Sequence, residues 1–151
     1  MDETKIAIMT DSTCDLTNEE LKEYNIRMVP MRIVYESREY RDRQEITLRQ
    51  VLDRMDEEIP HSSLPLPEDV MRCLDELDEE GYTDVLFISV SSALSGTYQM
   101  VRLLADQYGG LNIHVFDSLA MSMGVGFLAL EAANMMREKA GLSAILARLE
   151  A

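Results

Sequence analysis

Cysteine, tryptophan and long hydrophobic runs are scarce or missing in this sequence. Its two cysteines, Cys14 and Cys73, lie in different segments and show neither a Cys-x-x-Cys nor a Cys/His ligand spacing. So few cysteines exclude a disulfide framework, and their spacing does not fit a structural zinc site. The most apolar segment, residues 125–130, is far shorter than the roughly 20 residues that cross a bilayer. We therefore predict no bound metal and no transmembrane segment.

Cations are also scarce. The 151 residues hold 14 Lys and Arg against 28 Asp and Glu, which gives a formal net charge of −14. Nucleic acids and anionic membranes are bound by clustered Lys and Arg, and the sequence contains no such cluster. The N-terminal residues 1–5 are charged and are not followed by the apolar core of a signal peptide. These features predict a cytoplasmic protein that binds no nucleic acid.

The rest of the composition, 46% hydrophobic and 28% charged, is typical of one globular domain. Short apolar runs predict strands at 5–10, 28–35, 85–90 and 112–116, the second of them carrying Pro30. Helical spacing and end signals predict helices at 17–25, from Thr47, from 67 to about 80, around 101–105, at 121–139 and from a cap at Ser143. Residues 60–67 are predicted to form a turn-rich loop. This alternation predicts an α/β fold with a mostly parallel sheet and helices on both faces, in a single unit without internal repeats.

Hydroxyl side chains follow the predicted strands. They are Thr10, Ser12 and Thr13 after the first strand, Ser91, Ser92, Ser95 and Thr97 after the third, and Ser118 and Ser122 after the fourth, with Ser62 and Ser63 before a helix start. Ligands of such sheets bind outside the carboxyl ends of the strands, where helix N-termini expose free N–H groups. The clusters predict a site for a small carboxylate or phosphate without a cationic side chain. Ordinary helix capping is the alternative for any one of them.

Known enzyme motifs fit the sequence poorly. Ser95 lacks the first glycine of Gly-x-Ser-x-Gly, and neither a Walker motif nor Gly-x-Gly-x-x-Gly is present. Asp11 ends a strand as a phosphatase nucleophile does, but a second carboxylate is expected two residues later and Asp15 comes four residues later. We predict that the protein is not an enzyme, with a phosphate-ester enzyme that uses Asp11 as an alternative. Eleven methionines could line a channel for an alkyl chain, although core packing is the simpler explanation.

The chain resembles the DegV family of bacterial fatty-acid-binding proteins over its whole length. The resemblance is carried, in the family's order, by residues 6–16, 40–42, 62–65, 91–98 and 117–126. It implies the family's three-layer α/β domain and a buried acyl chain, with the carboxylate held by the hydroxyls of Ser62 and Ser95. Around this head group we predict the supporting residues His61, Ser63, Ser92, Gly96 and Thr97, and we predict that Thr10, Asp11, Ser12, Ser118 and Ser122 lie near the site.

The resemblance also implies a role in lipid metabolism. Proteins of this family present the bound fatty acid to a separate fatty acid kinase, so the chain is expected to be a carrier with no cofactor besides its ligand. The sequence departs from the family at His61 and Leu66, where hydroxyls are usual, and at Arg43, where glycine is usual.

The family chain is nearly twice as long, because a second domain closes the pocket and adds an Arg and a His to the head-group site. Residues 1–151 are therefore expected to form the N-terminal domain, with the second domain absent. An open half-pocket favours a homo-oligomer or weak lipid binding. The alternative is a truncated member of the family that acts as a protein–protein interaction module with a vestigial lipid site.

Overall fold

The computed structural model describes residues 4–151. Residues 1–3, part of the charged N-terminal segment, lie outside this range. The strands are β1 (Ile6–Asp11), β2 (Ile26–Val29), β3 (Arg32–Val34), β4 (Glu39–Arg41), β5 (His61–Ser63), β6 (Asp84–Ser89) and β7 (Asn112–Asp117). The helices are α1 (Asn18–Glu23), α2 (Leu48–Arg54), α3 (Pro67–Glu79), α4 (Thr97–Gln107), α5 (Met123–Arg137) and α6 (Leu142–Glu150). No helix within residues 4–151 is long and apolar enough to cross a membrane.

The main sheet is parallel and has the strand order β2-β1-β6-β7. Side chains alternate along β1, so that Ile8 faces α5 and α6 while Met9 faces the opposite cluster, which includes residues of α3 and α4. Both residues are fully buried. Helices thus cover both faces of a parallel sheet, which confirms the predicted α/β architecture.

A second sheet was not predicted. It is antiparallel, has the order β4-β3-β5 and contains three residues per strand. The predicted strand 28–35 is divided, because β2 ends at Val29, directly before Pro30. Proline has no N–H with which to continue the ladder, and the chain leaves the main sheet there to form β3.

Two predictions about local structure are wrong. Residues 61–63 form β5 instead of a loop, since their backbone pairs with β3 and places Ser62 opposite Ile33. That pairing is long-range and overrides the turn-forming composition. The last helix is capped by Gly141, whose carbonyl accepts the N–H of Ile145, and Ser143 lies inside the helix. By contrast, the predicted capping box of Thr17 and Glu20 is confirmed.

Candidate functional site

A buried carboxylate joins the carboxyl ends of the two central strands. Asp11, at the end of β1, accepts hydrogen bonds from the backbone N–H of Val90 at 2.9 Å and of Thr13 at 3.0 Å. The hydroxyl of Thr13 donates to the same carboxylate. Burial raises the pKa of Asp11, and these hydrogen bonds oppose the shift. Asp11 is fully buried, so its carboxylate organises the loops and is not offered to a substrate.

A second carboxylate joins the loops after β6 and β7. Oδ1 of Asp117 accepts the backbone N–H of Ser92 at 3.0 Å and of Leu119 at 3.1 Å. Burial opposes ionisation of Asp117, but hydrogen bonds from Ser92 and Leu119 outweigh it and hold its pKa below the usual value. The N–H of Ser91 also donates to the carbonyl of Ala120 at 2.8 Å. The two loops are therefore fixed side by side.

Thr97, the first residue of α4, is hydrogen-bonded to the Ser95 hydroxyl. The backbone N–H of Thr97 donates to Ser95 Oγ at 3.2 Å, and the two hydroxyls lie 2.8 Å apart. Thr97 is fully buried, and its Oγ1 is 3.7 Å from Sδ of Met31. When Thr97 donates its proton to Ser95, the proton of Ser95 is free for a ligand. In the other arrangement, Thr97 Oγ1 donates to Sδ of Met31 and Ser95 donates to Thr97, so Ser95 offers a proton to an anion only in the first arrangement.

The opposite wall is fixed by an arginine. Nε of Arg32 donates to the carbonyl of Leu64 at 2.8 Å, and its Nη2 donates to Oγ of Ser63 at 3.1 Å. These bonds hold the end of β5 and the residue that follows it. Ser62, which pairs with Ile33 in the small sheet, is thereby placed across from the loop that carries Ser95.

The two walls enclose a cleft of about 480 Å³. It is lined by Thr13, Met31, Ser62, Ser63, Leu64, Val90, Leu94, Ser95, Gly96 and Met121. Hydroxyl groups occupy both walls, and the rest of the lining is mostly apolar. None of these ten lining residues is a Lys, Arg or His, and Arg32 lies directly behind one of them, Ser63. Within residues 4–151, no group of three or more His, Cys, Asp or Glu could hold a metal ion.

The structure brings four of the predicted site residues into this lining, namely Ser62, Ser63, Ser95 and Gly96. Three of the predicted supporting residues lie outside the lining. Thr97 is buried behind Ser95, whereas His61 and Ser92 are exposed. The backbone N–H of Ser92 donates to Asp117 at 3.0 Å.

The residues predicted near the site are structural in their contacts. Thr10 donates to the carbonyl of Ile88 at 2.7 Å, and Ser12 accepts the N–H of Met31 at 2.9 Å. Ser118 accepts the N–H of Ala120, and Ser122 donates to the carboxylate of Asp15. Asp11 belongs to the same framework. These side chains shape the loops around the cleft, and none of them lines it.

Six lining residues were not among the predicted site residues: Thr13, Met31, Leu64, Val90, Leu94 and Met121. Thr13 belongs to the hydroxyl cluster after β1, and Met121 to the methionine-rich segment, so both had a signal in the sequence. Met31, Leu64, Val90 and Leu94 have none, since an apolar side chain in a loop does not show which cavity it will line.

Comparison with known proteins agrees with the fold just described. A family model described as "Uncharacterised protein, DegV family" matches residues 5–151. The chain belongs to the DegV family. A DegV domain-containing protein of Clostridium perfringens is 37% identical over 145 residues, which are 96% of this chain and 52% of that protein. A relative from Clostridium acetobutylicum is 38% identical over 132 residues, 87% of this chain and 47% of that protein.

Solved structures of the family have the same fold. A DegV family protein from Thermus thermophilus, described by its fatty acid binding, superposes with a TM-score of 0.88 at 36% identity and covers 97% of this chain. DegV from Bacillus subtilis, described as a fatty acid binding protein, superposes with a TM-score of 0.92 at 26% identity and covers 98% of this chain. This chain matches 52% and 53% of those chains, so it spans about half the length of its relatives.

Proposed function

We propose that this protein binds a long-chain fatty acid, with the carboxylate held between the hydroxyls of Ser62 and Ser95. The observation that supports this most directly is the cleft itself, because Ser62 and Ser95, which are far apart in sequence, both line it. Its volume of about 480 Å³ falls within the roughly 300–1,000 Å³ of small-molecule sites. Solved relatives described as fatty-acid-binding proteins share the fold.

The apolar part of the lining suits the start of an acyl chain. Met31, Leu64, Val90, Leu94 and Met121 lie beside the hydroxyls. Methionine is unbranched and adapts to an irregular alkyl chain. A fatty-acid site has two requirements, namely hydrogen-bond donors for the carboxylate and apolar side chains for the alkyl chain, and this cleft contains both.

The role of this protein after it has bound a fatty acid is proposed from its resemblance to the family. We propose that the bound fatty acid is presented to a separate fatty acid kinase, which phosphorylates the carboxylate. Asp11 is committed to three hydrogen bonds, and the cleft lining contains no histidine or carboxylate that could act as a base. These contacts favour a carrier over an enzyme. Phosphorylation of bound fatty acid by a purified kinase of this class, dependent on this protein, would test the proposal.

The head-group assignment is tested by removing one hydroxyl at a time. Ser95→Ala and Ser62→Ala should each weaken binding of a long-chain fatty acid by about tenfold or more, because each removes a hydrogen bond to a charged group. The measurement is isothermal titration, with circular dichroism to verify folding. Ser143→Ala, an exposed serine on α6, serves as the control. Unchanged affinity in both cleft variants would contradict the assignment.

A second candidate function is supported by the rim of the cleft. Leu94 and Met121, which line the cleft, are 63% and 60% exposed, and Leu119, two residues before Met121, is 77% exposed. Exposed large apolar side chains that lie close together are typical of an interaction surface. In this alternative the residues described form an interaction module, and its rim contacts a protein partner or a second domain. Two results together would favour this alternative: the protein binds no fatty acid, and Leu119→Glu abolishes its binding to a protein partner.

A further inference from the structure

An arginine of the small sheet contacts one of the hydroxyls that line the cleft. In the antiparallel pairing of β3 with β5, Arg32 lies directly opposite Ser63. Residues directly opposite each other project from the same face of a sheet, where their side chains meet. Nη2 of Arg32 is 3.1 Å from Oγ of Ser63. Arg32 is not itself a lining residue, so its guanidinium reaches the hydroxyl from behind the wall of the cleft.

The hydrogen bond between Arg32 and Ser63 has only one possible direction. A guanidinium has five donors and no acceptor, and it stays protonated in proteins. Ser63 Oγ must therefore accept this bond, which leaves the proton of the Ser63 hydroxyl free. Within residues 4–151 the Ser63 hydroxyl makes no hydrogen bond as a donor. Because Ser63 lines the cleft, a ligand bound there can accept the proton.

The hydroxyl of Ser95 is less constrained than that of Ser63. Ser95 and Thr97 are both hydroxyl residues, so either can donate in the contact between them. When Ser95 donates to Thr97, it has no proton left for an anion. Ser63 has its proton available in both arrangements of that pair. Of these two hydroxyls in the cleft, Ser63 is therefore the one whose role as a donor is fixed by the protein.

The charge of Arg32 is compensated within the small sheet. Arg32 lies opposite Arg41 on the other side of β3, and like charges directly opposite each other are destabilising. Each arginine has its own acidic partner, Glu39 at 3.1 Å from Arg32 and Asp69 at 2.8 Å from Arg41. Since Glu39 offsets the charge of Arg32, the arginine acts on the cleft through the direction of its hydrogen bond to Ser63.

We infer that Arg32 is a positioning residue for the head group, because it fixes the hydroxyl of Ser63 as a donor to the carboxylate. The inference rests on the proposed fatty-acid site, where Ser63 would join Ser62 and Ser95. A fixed donor requires an acceptor. An ionised carboxylate only accepts hydrogen bonds, whereas an alcohol group also has a proton to place. The cleft therefore prefers a free fatty acid anion to the matching fatty alcohol, and Arg32 contributes to this preference.

Competition binding with two ligands tests the inference. Palmitate and palmityl alcohol each displace a fluorescent fatty acid from the full chain, and the ratio of their dissociation constants measures the preference for the anion. Arg32→Met should lower this preference by about threefold or more, because a hydrogen bond to a charged group is stronger than one to a neutral group. If Arg32 served only to hold the carbonyl of Leu64, both ligands would be weakened alike and the ratio would not change.

The matched control is Arg148→Met. Arg148 is an exposed arginine on α6 that pairs with Glu131, and it is not a lining residue of the cleft. Its substitution should leave both dissociation constants unchanged. Circular dichroism verifies that each variant is folded.

A double variant tests whether Arg32 acts through Ser63. Ser63→Ala should lower the preference for palmitate at least as much as Arg32→Met does. The double variant should be no worse than Ser63→Ala alone, because the arginine then has no hydroxyl to orient. Additive losses in the double variant, or an unchanged ratio in either folded single variant, would overturn the inference while leaving fatty-acid binding in place. A wild-type chain that binds no palmitate would overturn it together with the proposed function.

Discussion

Single side chains that do not line the cleft determine its geometry. Asp11 connects the ends of β1 and β6, Asp117 connects the loops after β6 and β7, and Thr97 orients the hydroxyl of Ser95. Each acts through a backbone N–H or a fixed hydroxyl. Substituting any of them is therefore expected to change the site even though the ligand does not touch it.

Asp11 should make stability depend on pH. Burial raises its pKa in the folded state above the ordinary value of 3.8, and its hydrogen bonds do not cancel the shift. A raised pKa favours the protonated form in the fold, so this contribution to stability is complete below pH 3.8 and is lost as the pH rises through the folded-state pKa.

The pH dependence of wild-type stability is compared with that of Asp11→Asn, because the asparagine side chain does not titrate. As the pH rises from about 4, the unfolding free energy of wild type should fall relative to that of the variant. Chemical denaturation at a series of pH values measures both. A difference that stays constant or moves the other way would show that the hydrogen bonds from Thr13 and Val90 outweigh burial.

Arg43 has a backbone conformation that favours glycine. Its φ is 66°, in the left-handed region, which costs an L-residue roughly 1–2 kcal/mol. Arg43→Gly should therefore be more stable than Arg43→Ala by about 1 kcal/mol. Both variants lose the contacts of the arginine with Asn18 and Met28, so the comparison isolates the backbone. Urea denaturation measures it, and an alanine variant as stable as the glycine variant would refute the explanation.

At the scale of elements, α5 packs tightly against the backbone of the turn after β1. A Cβ on Gly126 would lie 2.5 Å from the carbonyl oxygen of Cys14 and 3.1 Å from Cδ2 of Leu16. Replacing glycine by alanine inside a helix usually stabilises it by roughly 0.5–1 kcal/mol. Here the backbone of the turn would have to move, so we expect the substitution of alanine for Gly126 to destabilise the protein instead.

Gly126→Ala should lower the unfolding free energy by about 1–3 kcal/mol. Thermal and urea denaturation measure the change. The control is Gly109→Ala, because a Cβ at Gly109 meets no atom within 4 Å. A variant at Gly126 with a higher melting temperature than wild type would mean that α5 and the turn are more loosely packed than described.

Elements with local signals were predictable from the sequence, and elements that depend on distant pairing were not. The capping box of Thr17 and Glu20 and the apolar runs of β1 and β6 are encoded within a few residues. β5 is encoded by its pairing with β3, about thirty residues away in sequence, and residues 61–63 alone are typical of a turn. Pro30 predicted that the strand at 28–35 lies at an edge or begins late, but the antiparallel sheet beyond it has no local signal.

At the scale of the whole molecule, the position of the site followed from topology. Parallel strands end at one edge of the sheet, so hydroxyls after separate strands were expected to converge there. Thr13 and Ser95 line the cleft for this reason. Ser62 reaches it from β5 of the antiparallel sheet, which the topology of the parallel strands did not predict. The apolar walls of the cleft could not be predicted in the same way, because the packing of Met31 and Leu94 against the cleft depends on the arrangement of the loops in three dimensions.

The central claim is that this chain holds a fatty acid, and native mass spectrometry of the purified protein tests it most directly. Bound material is released under denaturing conditions and identified by its mass. We predict a stoichiometric long-chain fatty acid, which is reduced in Ser62→Ala and Ser95→Ala protein. Protein that is folded and empty, and that stays empty after incubation with long-chain fatty acids, would contradict the claim.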